Sequence, residues 1–140
     1  MISENPEFES VKALLASAKL PTEDLTEAHC RNFFCAGPAD APTGLVGLEL
    51  LGDVALLRSL VVKPHGRNVG AGSELVRHAE EQARRRGVRG LYLLTTTAEE
   101  FFSKRGYERV PRETAPPAIR ATKEFSGICP SSSAFMSKLL

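Results

Sequence analysis

A glycine-containing segment between two apolar stretches is the strongest chemical signal in the sequence. It covers residues 61–73 and reads VVKPHGRNVGAGS. Small residues at the start of a helix let backbone N–H groups converge on an anion, and the helix dipole adds favourable potential. The segment therefore predicts a site for a phosphate or diphosphate group. The alternative is a glycine-rich turn that binds nothing.

Two common nucleotide-binding motifs do not fit this segment. A Walker loop requires Gly-Lys followed by Ser or Thr, and that order is absent from the sequence. A dinucleotide-binding fingerprint requires glycine where Leu75 stands, and an acidic residue about 20 positions later at a strand end. Residues 91–94, Leu-Tyr-Leu-Leu, offer no such acid. Both nucleotide interpretations fail.

Arg58 and Ser59 interrupt the otherwise apolar run of residues 54–62. One interpretation is that the Arg58 guanidinium faces a substrate and binds a carboxylate or an arsonate, since its fork can hydrogen-bond two oxygens of such a group. The other is structural: Arg58 extends to the sheet edge or pairs with Glu49 on a neighbouring strand. Arg112 and Arg120, near the C-terminus, are further candidates for substrate binding.

The hydrophobic pattern predicts the elements that position these residues. Gly52 and Asp53 suit a tight hairpin between two apolar strands, of which 54–62 is apolar enough to be central. Asn5 and Pro6 predict the start of the first helix. The order of elements predicts one α/β domain over residues 1–140, with a mixed sheet. The predicted strands are 31–35, 44–51, 54–62, 91–95, 107–110 and 134–140, and the predicted helices are 6–18, 22–29, 73–86, 98–104 and 118–125.

Composition narrows the classes of protein to consider. The chain has 140 residues, a net charge of +1 and 42% hydrophobic residues, as an ordinary globular domain does. The balanced charge argues against nucleic-acid binding, and no apolar run is long enough to cross a membrane. No signal peptide is visible at the first residues, so a cytoplasmic location is expected. The three cysteines, Cys30, Cys35 and Cys129, are expected to be reduced thiols rather than a metal or metalloid site.

The pattern Arg67-x-x-Gly70-x-Gly72 after an apolar strand resembles motif A of the GNAT superfamily of acyl-CoA-dependent N-acetyltransferases. The later stretch AEEFFSKRGY, residues 98–107, resembles motif B of the same family. More narrowly, LLTTTAE at 93–99 and the tail residues Pro117, Ile119, Thr122 and Phe125 are similar to small acetyltransferases associated with bacterial arsenic resistance.

The resemblance implies a GNAT fold, with a mostly antiparallel sheet splayed between two central strands and helices on both faces. It also implies an acetyl-CoA site and no metal. The backbone of Leu60, Val61 and Val62 would pair with the pantetheine arm, Phe102 would contact the coenzyme, and the thioester would lie in the splayed gap. The diphosphate would be held by Arg67 and the amides of Asn68, Val69, Gly70, Ala71, Gly72 and Ser73.

The sequence departs from the family pattern at the position of the general acid. In many family members the second aromatic residue of motif B is a tyrosine, and here it is Phe102. A thiol of pKa about 8.5 lies near cytosolic pH, so protonating the leaving group is worth only about 1.5 kcal/mol. Keeping a lysine-like amine neutral would cost about 4 kcal/mol, and an α-amine under about 1 kcal/mol. We therefore expect the acceptor to have an amine of low pKa, and we expect bulk water or Glu49 to relay the proton that this amine loses.

The resulting interpretation is an acetyl-CoA-dependent N-acetyltransferase that acts on the amine of a small molecule, such as an amino-bearing organoarsenical. A non-catalytic acyl-CoA or arsenite sensor is the alternative, because Phe102 and the absence of an obvious base could record lost catalysis. The apolar C-terminal strand suggests a contact in a homodimer.

Overall fold

The computed structural model describes residues 2–4, 6–20, 22–38, 41–63, 70–128 and 132–140. Seven strands form one sheet in the order β1-β2-β3-β4-β5-β7-β6. Every neighbouring pair is antiparallel except β4–β5, which is parallel, so the expected mixed and mostly antiparallel sheet is confirmed. The strands are β1 (Ile2–Glu4), β2 (Phe33–Ala36), β3 (Gly44–Leu51), β4 (Val54–Val62), β5 (Gly90–Thr95), β6 (Glu108–Arg109) and β7 (Ala134–Leu139).

Helices cover both faces of the sheet, as expected for an α/β fold. Leu56 and Leu57 are adjacent in β4 and belong to different clusters of the core, because successive side chains of a strand point to opposite faces. The Leu57 face packs against α2, and the other face packs against α1 and the C-terminal segment. The helices are α1 (Phe8–Ser17), α2 (Ala71–Arg85), α3 (Glu99–Ser103) and α4 (Pro117–Arg120), with 3₁₀ turns at Glu27–Asn32 and Arg112–Thr114 and a π turn at Glu124–Ile128.

The β3–β4 hairpin matches its predicted bounds. Gly52 takes a positive φ of 84° in the connecting turn, a conformation that glycine adopts without steric cost. Leu51 then pairs with Val54, and the ladder continues regularly as far as Gly47 opposite Arg58. The two polar residues that the sequence singled out therefore lie in the middle of the sheet.

A β-bulge interrupts this ladder at Ser59. The register runs from Gly47 opposite Arg58 to Leu45 opposite Val61, so β4 contains one more residue than β3 across this step. Ser59 has a φ of 60°, which is uncommon for a residue with a side chain. Bulges bend the strand that carries them and increase its local twist. The bend lies where β4 leaves its parallel neighbour.

The two central strands separate after a short shared stretch. β4 and β5 pair at only three positions, from Val54 opposite Gly90 to Leu56 opposite Tyr92. Beyond Leu56, β4 continues to Val62 and β5 to Thr95 without a ladder between them. The splay that the family resemblance implied is therefore present.

Several predicted elements differ from the structure at the N-terminal end. β1 was not predicted, because three residues are too few to show the alternating hydrophobic pattern of a strand. Glu7, not Asn5, occupies the N-cap position of α1, and Asn5 lies outside the described residues. The predicted helix 22–29 is replaced by the 3₁₀ turn Glu27–Asn32, which Thr26 and His29 cap reciprocally. This turn takes up Arg31 and Asn32, so β2 begins two residues later than predicted.

The C-terminal third also differs from the prediction. The predicted helix 118–125 ends at Arg120, and a π turn begins at Glu124. The predicted strand 107–110 is reduced to Glu108–Arg109, because Tyr107 turns into the core. β7 lies between β5 and β6, and its buried residues Ala134 and Met136 belong to the main core cluster. None of the helices in the described residues combines the length and apolar character that a bilayer span requires.

Candidate functional site

A cavity of about 820 Å³ lies between the end of β4 and the start of α2. It brings together six of the residues that the sequence assigned to the coenzyme, namely Leu60, Val61, Val62, Gly70, Gly72 and Ser73. Ala71 begins α2 beside them without lining the cavity. Arg67, Asn68 and Val69 lie outside the described residues. The predicted glycine segment thus adjoins a real cleft at a helix N-terminus.

Two glycines shape the start of α2. Gly70 is the N-cap in the left-handed conformation, with a φ of 74°, and it lets the chain turn abruptly into the helix. A Cβ placed on Gly72 would lie 3.3 Å from Cζ of Phe101, so a side chain there would crowd the cavity wall. The first amides of a helix have no partner within it, and here they border open space. This is the geometry that favours an anion.

Arg105 supplies a positive charge to the same cavity and was missed by the sequence analysis. Its Nε donates a hydrogen bond to Ser73 Oγ at 3.0 Å, and its Nη1 donates to the Phe101 carbonyl at 2.7 Å. The guanidinium also stacks 3.6 Å from the centre of the Phe101 ring. These contacts fix a cation beside the first turn of α2. The sequence signal that could have identified Arg105 is its position as a basic residue near the end of the motif at residues 98–107.

A second cavity of about 430 Å³ adjoins the first, and Leu20, Leu60, Thr97 and Ala98 line both. It lies between the bulged part of β4 and the end of β5, where the two strands have separated. The two cavities therefore meet in the splayed gap. The larger cavity borders the N-terminus of α2, and the smaller cavity is lined by both apolar and polar residues.

Phe102 lines the smaller cavity rather than the larger one. Its ring is buried and packs edge-on against the rings of Phe101 and Tyr107. The hydroxyl of Tyr107 is not available to the cavity, since it donates to Glu80 Oε2 at 2.9 Å within the core. Burial first, and then the negative charge of Glu80, raise the pKa of Tyr107 far above its usual range. Neither residue supplies an acidic proton here.

Arg58 forms the centre of a buried charge cluster beside the smaller cavity. Its Nη1 and Nη2 donate to the two carboxylate oxygens of Asp24 at 2.5 and 2.9 Å, and its side chain is fully buried. Glu124 Oε2 lies 3.3 Å from Nη2, and Glu49 Oε2 lies 3.7 Å from Nη1. Burial acts to raise the pKa of Asp24, but hydrogen bonding and attraction from Arg58 outweigh it and lower that pKa.

The predicted substrate-binding residues differ in their placement. Arg58 and Ser59 line the smaller cavity, and Arg58 Nε donates to Ser59 Oγ at 3.0 Å. The ion pair with Glu49 that the structural interpretation expected is present, but Asp24 is the closer partner. Arg112 and Arg120 line neither cavity: they donate to the carbonyls of Ser133 and Ala115, respectively.

Glu49 lies behind Arg58 and lines neither cavity. Its Oε1 is 3.7 Å from His29 Nε2, on the side of the cluster nearer solvent. Burial first, and then the nearby Asp24, raise the pKa of Glu49, although Arg58 and His29 oppose this. A raised pKa suits a group that exchanges protons. Glu49 contacts Arg58, which lines the smaller cavity, but Glu49 itself does not line it.

Among the cysteines, Cys30 and Cys35 are buried free thiols, and Cys129 lies outside the described residues. Burial, and secondarily Glu27, raise the pKa of Cys30. Within the described ranges, no three His, Cys, Asp or Glu side chains are grouped as metal ligands.

Comparison with known proteins identifies a shared domain. Residues 3–110 match the model of the "Acetyltransferase (GNAT) family". An amino-acid acetyltransferase from Pseudomonas fluorescens is 38% identical over 66 residues, which are 47% of this chain and 15% of the relative. The chain thus corresponds to only a small part of that curated relative.

Solved structures show the same fold over the whole chain. N-acetylglutamate synthase from Neisseria gonorrhoeae, complexed with coenzyme A and N-acetyl-glutamate, superposes with a TM-score of 0.85 at 21% identity. That match covers 100% of this chain and 35% of the other. A Mycobacterium tuberculosis protein in complex with CoA superposes with a TM-score of 0.79 at 17% identity, covering 100% and 99% of the two chains.

Proposed function

Because the chain belongs to the GNAT family of acetyltransferases, we propose that it transfers the acetyl group of acetyl-CoA to the amine of a small molecule. The observation that carries this proposal is the pair of connected cavities in the gap between β4 and β5. One cavity borders a helix N-terminus suited to a diphosphate, and the other has room for an acceptor. Family members of known structure include complexes with coenzyme A.

The larger cavity is the proposed coenzyme site. The amides at Gly70 to Ser73, with Arg67, Asn68 and Val69 before them, would hold the diphosphate, and Arg105 would add a cation. The backbone of β4 at Leu60–Val62 would hydrogen-bond the pantetheine arm as a neighbouring strand does. This arrangement would bring the thioester to the junction of the two cavities.

The smaller cavity is the proposed acceptor site. The acceptor amine, once it has lost its proton in this cavity, would attack the thioester carbonyl, and the coenzyme would leave as a thiolate. Phe102 has no proton to donate, so the thiolate would be protonated by water. The proton lost by the amine would reach bulk water or Glu49, which we propose as a relay behind Arg58. Ser59 and Arg58 would form part of the acceptor wall.

Two classes of acceptor have support from different sources. Relatives are named amino-acid acetyltransferases, which favours the α-amine of an amino acid. The tail motif around Thr122 and Phe125 is similar to arsenic-resistance acetyltransferases, which favours an amino-bearing organoarsenical. Both have amines of lower pKa than a lysine side chain, so both avoid the larger cost of deprotonation.

An acceptor screen tests the proposal directly. Release of free thiol from acetyl-CoA would be measured with amino acids, their arsonate and phosphinate analogues, and lysine peptides. Amine-dependent thiol release together with the mass of an acetylated product would support the proposal. Coenzyme binding without turnover of any amine would overturn it and favour the sensor, for which Phe102 is the motivating observation.

A further inference from the structure

Two polar groups in the smaller cavity have no role in the coenzyme site. Glu124 and Ser133 both line this cavity, and both are buried, at 6% and 4% exposure. Glu124 opens a π turn, an irregular helical geometry that is often found at functional sites. Ser133 immediately precedes β7, next to the end of β5 where the gap opens.

The Ser133 hydroxyl is buried without a hydrogen-bond partner among the described residues. A buried hydroxyl without a partner is rare, because desolvation is then uncompensated. The carbonyl of the same residue accepts a hydrogen bond from Arg112 Nη2 at 3.1 Å, so the backbone there is held. Ser133 lines the smaller cavity, so its hydroxyl oxygen is a hydrogen-bond acceptor at the cavity wall.

The charges around Arg58 favour a cationic guest. One guanidinium is in contact with two carboxylates, Asp24 at hydrogen-bond distance and Glu124 at 3.3 Å. Glu49 adds a third acidic group at 3.7 Å. Asp24 is the closest partner of Arg58, and Glu124 is the one of these three carboxylates that lines the smaller cavity. The other two charged residues that line this cavity, Lys19 and Glu23, have opposite charges.

We propose that Glu124 and Ser133 bind the ammonium group of the acceptor, and that Arg58 positions Glu124 instead of binding an acceptor anion. An ammonium has three N–H donors and no acceptor, so a carboxylate and an unpaired hydroxyl oxygen are complementary to it. This assignment rests on the proposed function, because it concerns the acceptor of the same reaction. It specifies that the acceptor enters as a cation.

The test uses two variants with one matched control each. Glu124→Gln removes the charge, and Ser133→Ala removes only the acceptor atom. Their controls are Glu113→Gln and Ser132→Ala, which change exposed side chains of the same segment that line neither cavity. Binding of ethylammonium and of its uncharged counterpart ethanol would be measured by NMR titration, with and without CoA.

We expect the parent to bind ethylammonium more tightly than ethanol. Glu124→Gln should weaken ethylammonium binding about tenfold and Ser133→Ala a few-fold, as expected for charge-assisted and neutral hydrogen bonds, while both controls match the parent. Ser133→Ala should not lower the melting temperature, since its hydroxyl has no partner to lose within the described part of the chain. That variant keeps the proposal testable if Glu124→Gln folds poorly.

Steady-state rates with the best amine of the acceptor screen complete the test. In Ser133→Ala and Glu124→Gln the acceptor KM should rise, and the KM of acetyl-CoA should stay unchanged. Parent-like KM and ethylammonium affinity in both variants, or equal binding of ethanol and ethylammonium by the parent, would overturn the assignment. If the parent binds ethylammonium through these two residues but acetylates no amine, the assignment stands and the proposed enzymatic function fails.

Discussion

Asp24 and Arg58 form two hydrogen bonds, at 2.5 and 2.9 Å, across a sequence separation of 34 residues. The pair joins the segment before the 3₁₀ turn Glu27–Asn32 to the bulge of β4. Both side chains are almost completely withdrawn from solvent. The contact therefore fixes one wall of the proposed acceptor site to the sheet.

Asp24→Asn should destabilise the protein strongly, because it leaves a buried guanidinium without its main partner. Removing one member of such a pair costs about 3–5 kcal/mol. The pKa of Asp24 is lowered in the folded state, so its contribution is present above the unfolded value of about 3.9 and is lost as the pH falls through the lower folded value. Urea unfolding at pH 7 and at decreasing pH measures both effects.

The exposed neighbour provides the control, since Glu23→Gln should change the free energy of unfolding by no more than about 0.5 kcal/mol. An Asp24→Asn protein as stable as this control would show that the other carboxylates can replace Asp24.

Gly70→Ala and Gly87→Ala separate backbone strain from coenzyme binding. Both glycines have a positive φ, 74° and 84°, and open space where a Cβ would be placed. Each substitution should therefore cost about 1–2 kcal/mol of stability. Only Gly70 lines the larger cavity, so only Gly70→Ala should raise the KM of acetyl-CoA. Equal coenzyme KM values in the two variants would argue against diphosphate binding at this helix start.

Phe102→Tyr tests how much a proton donor at this position would add. The thiol of the departing coenzyme has a pKa of about 8.5, so the gain in kcat at neutral pH should be no more than about tenfold. The gain should increase above that pKa, where the departing group stays a thiolate. Initial rates from pH 6.5 to 9.5 would be compared with Phe102→Leu, which also lacks a hydroxyl. A far larger gain would mean that leaving-group protonation limits the parent.

Glu49→Gln should be at least as stable as the parent at neutral pH. The pKa of Glu49 is raised, mainly by burial, so the parent loses stability as the pH rises from about 4.3 through the raised folded value. The glutamine does not ionise, and the advantage should vanish near pH 4. If Glu49 relays the proton, the variant should also lose the rate increase that accompanies its ionisation. A pH–rate profile identical to that of the parent would remove Glu49 from the mechanism.

Arg105→Gln should weaken coenzyme binding and leave the acceptor KM unchanged. The guanidinium is fixed by Ser73 and by stacking on Phe101 at the edge of the larger cavity. Losing one charge-assisted contact should raise the KM of acetyl-CoA about tenfold. Arg109→Gln is the control, because Arg109 is exposed and lines neither cavity. Equal effects of both substitutions would indicate only a change in net charge.

The sequence alone predicted those elements whose signals lie in a few neighbouring residues. Two apolar runs separated by Gly52 and Asp53 gave both bounds of the β3–β4 hairpin, because side-chain period and turn chemistry agree there. The N-terminus of α2 was also predictable, since glycines and a following amphipathic stripe mark it. The larger cavity therefore lies beside the residues of the motif.

The acceptor side depends on contacts between distant parts of the chain. Arg58 was noticed as a charged residue in an apolar run, but its partner Asp24 lies 34 residues away in the sequence. Glu49, on the neighbouring strand of the predicted hairpin, was the only partner that the sequence suggested. Glu124 and Ser133 belong to the C-terminal segment, where the predicted helix ends early and a π turn follows it. Only the packed tertiary structure brings these groups together.

The extra residue at Ser59 bears on which single-residue deletion the core of the domain can accommodate. Two residues, Ser59 and Leu60, occupy the place of one, so Val61 faces the same side of the sheet as it would in a strand one residue shorter. A chain lacking Ser59 could therefore keep the inward and outward alternation of its core. We therefore expect deletion of this residue to preserve the packing of the core and to straighten the backbone along the cleft.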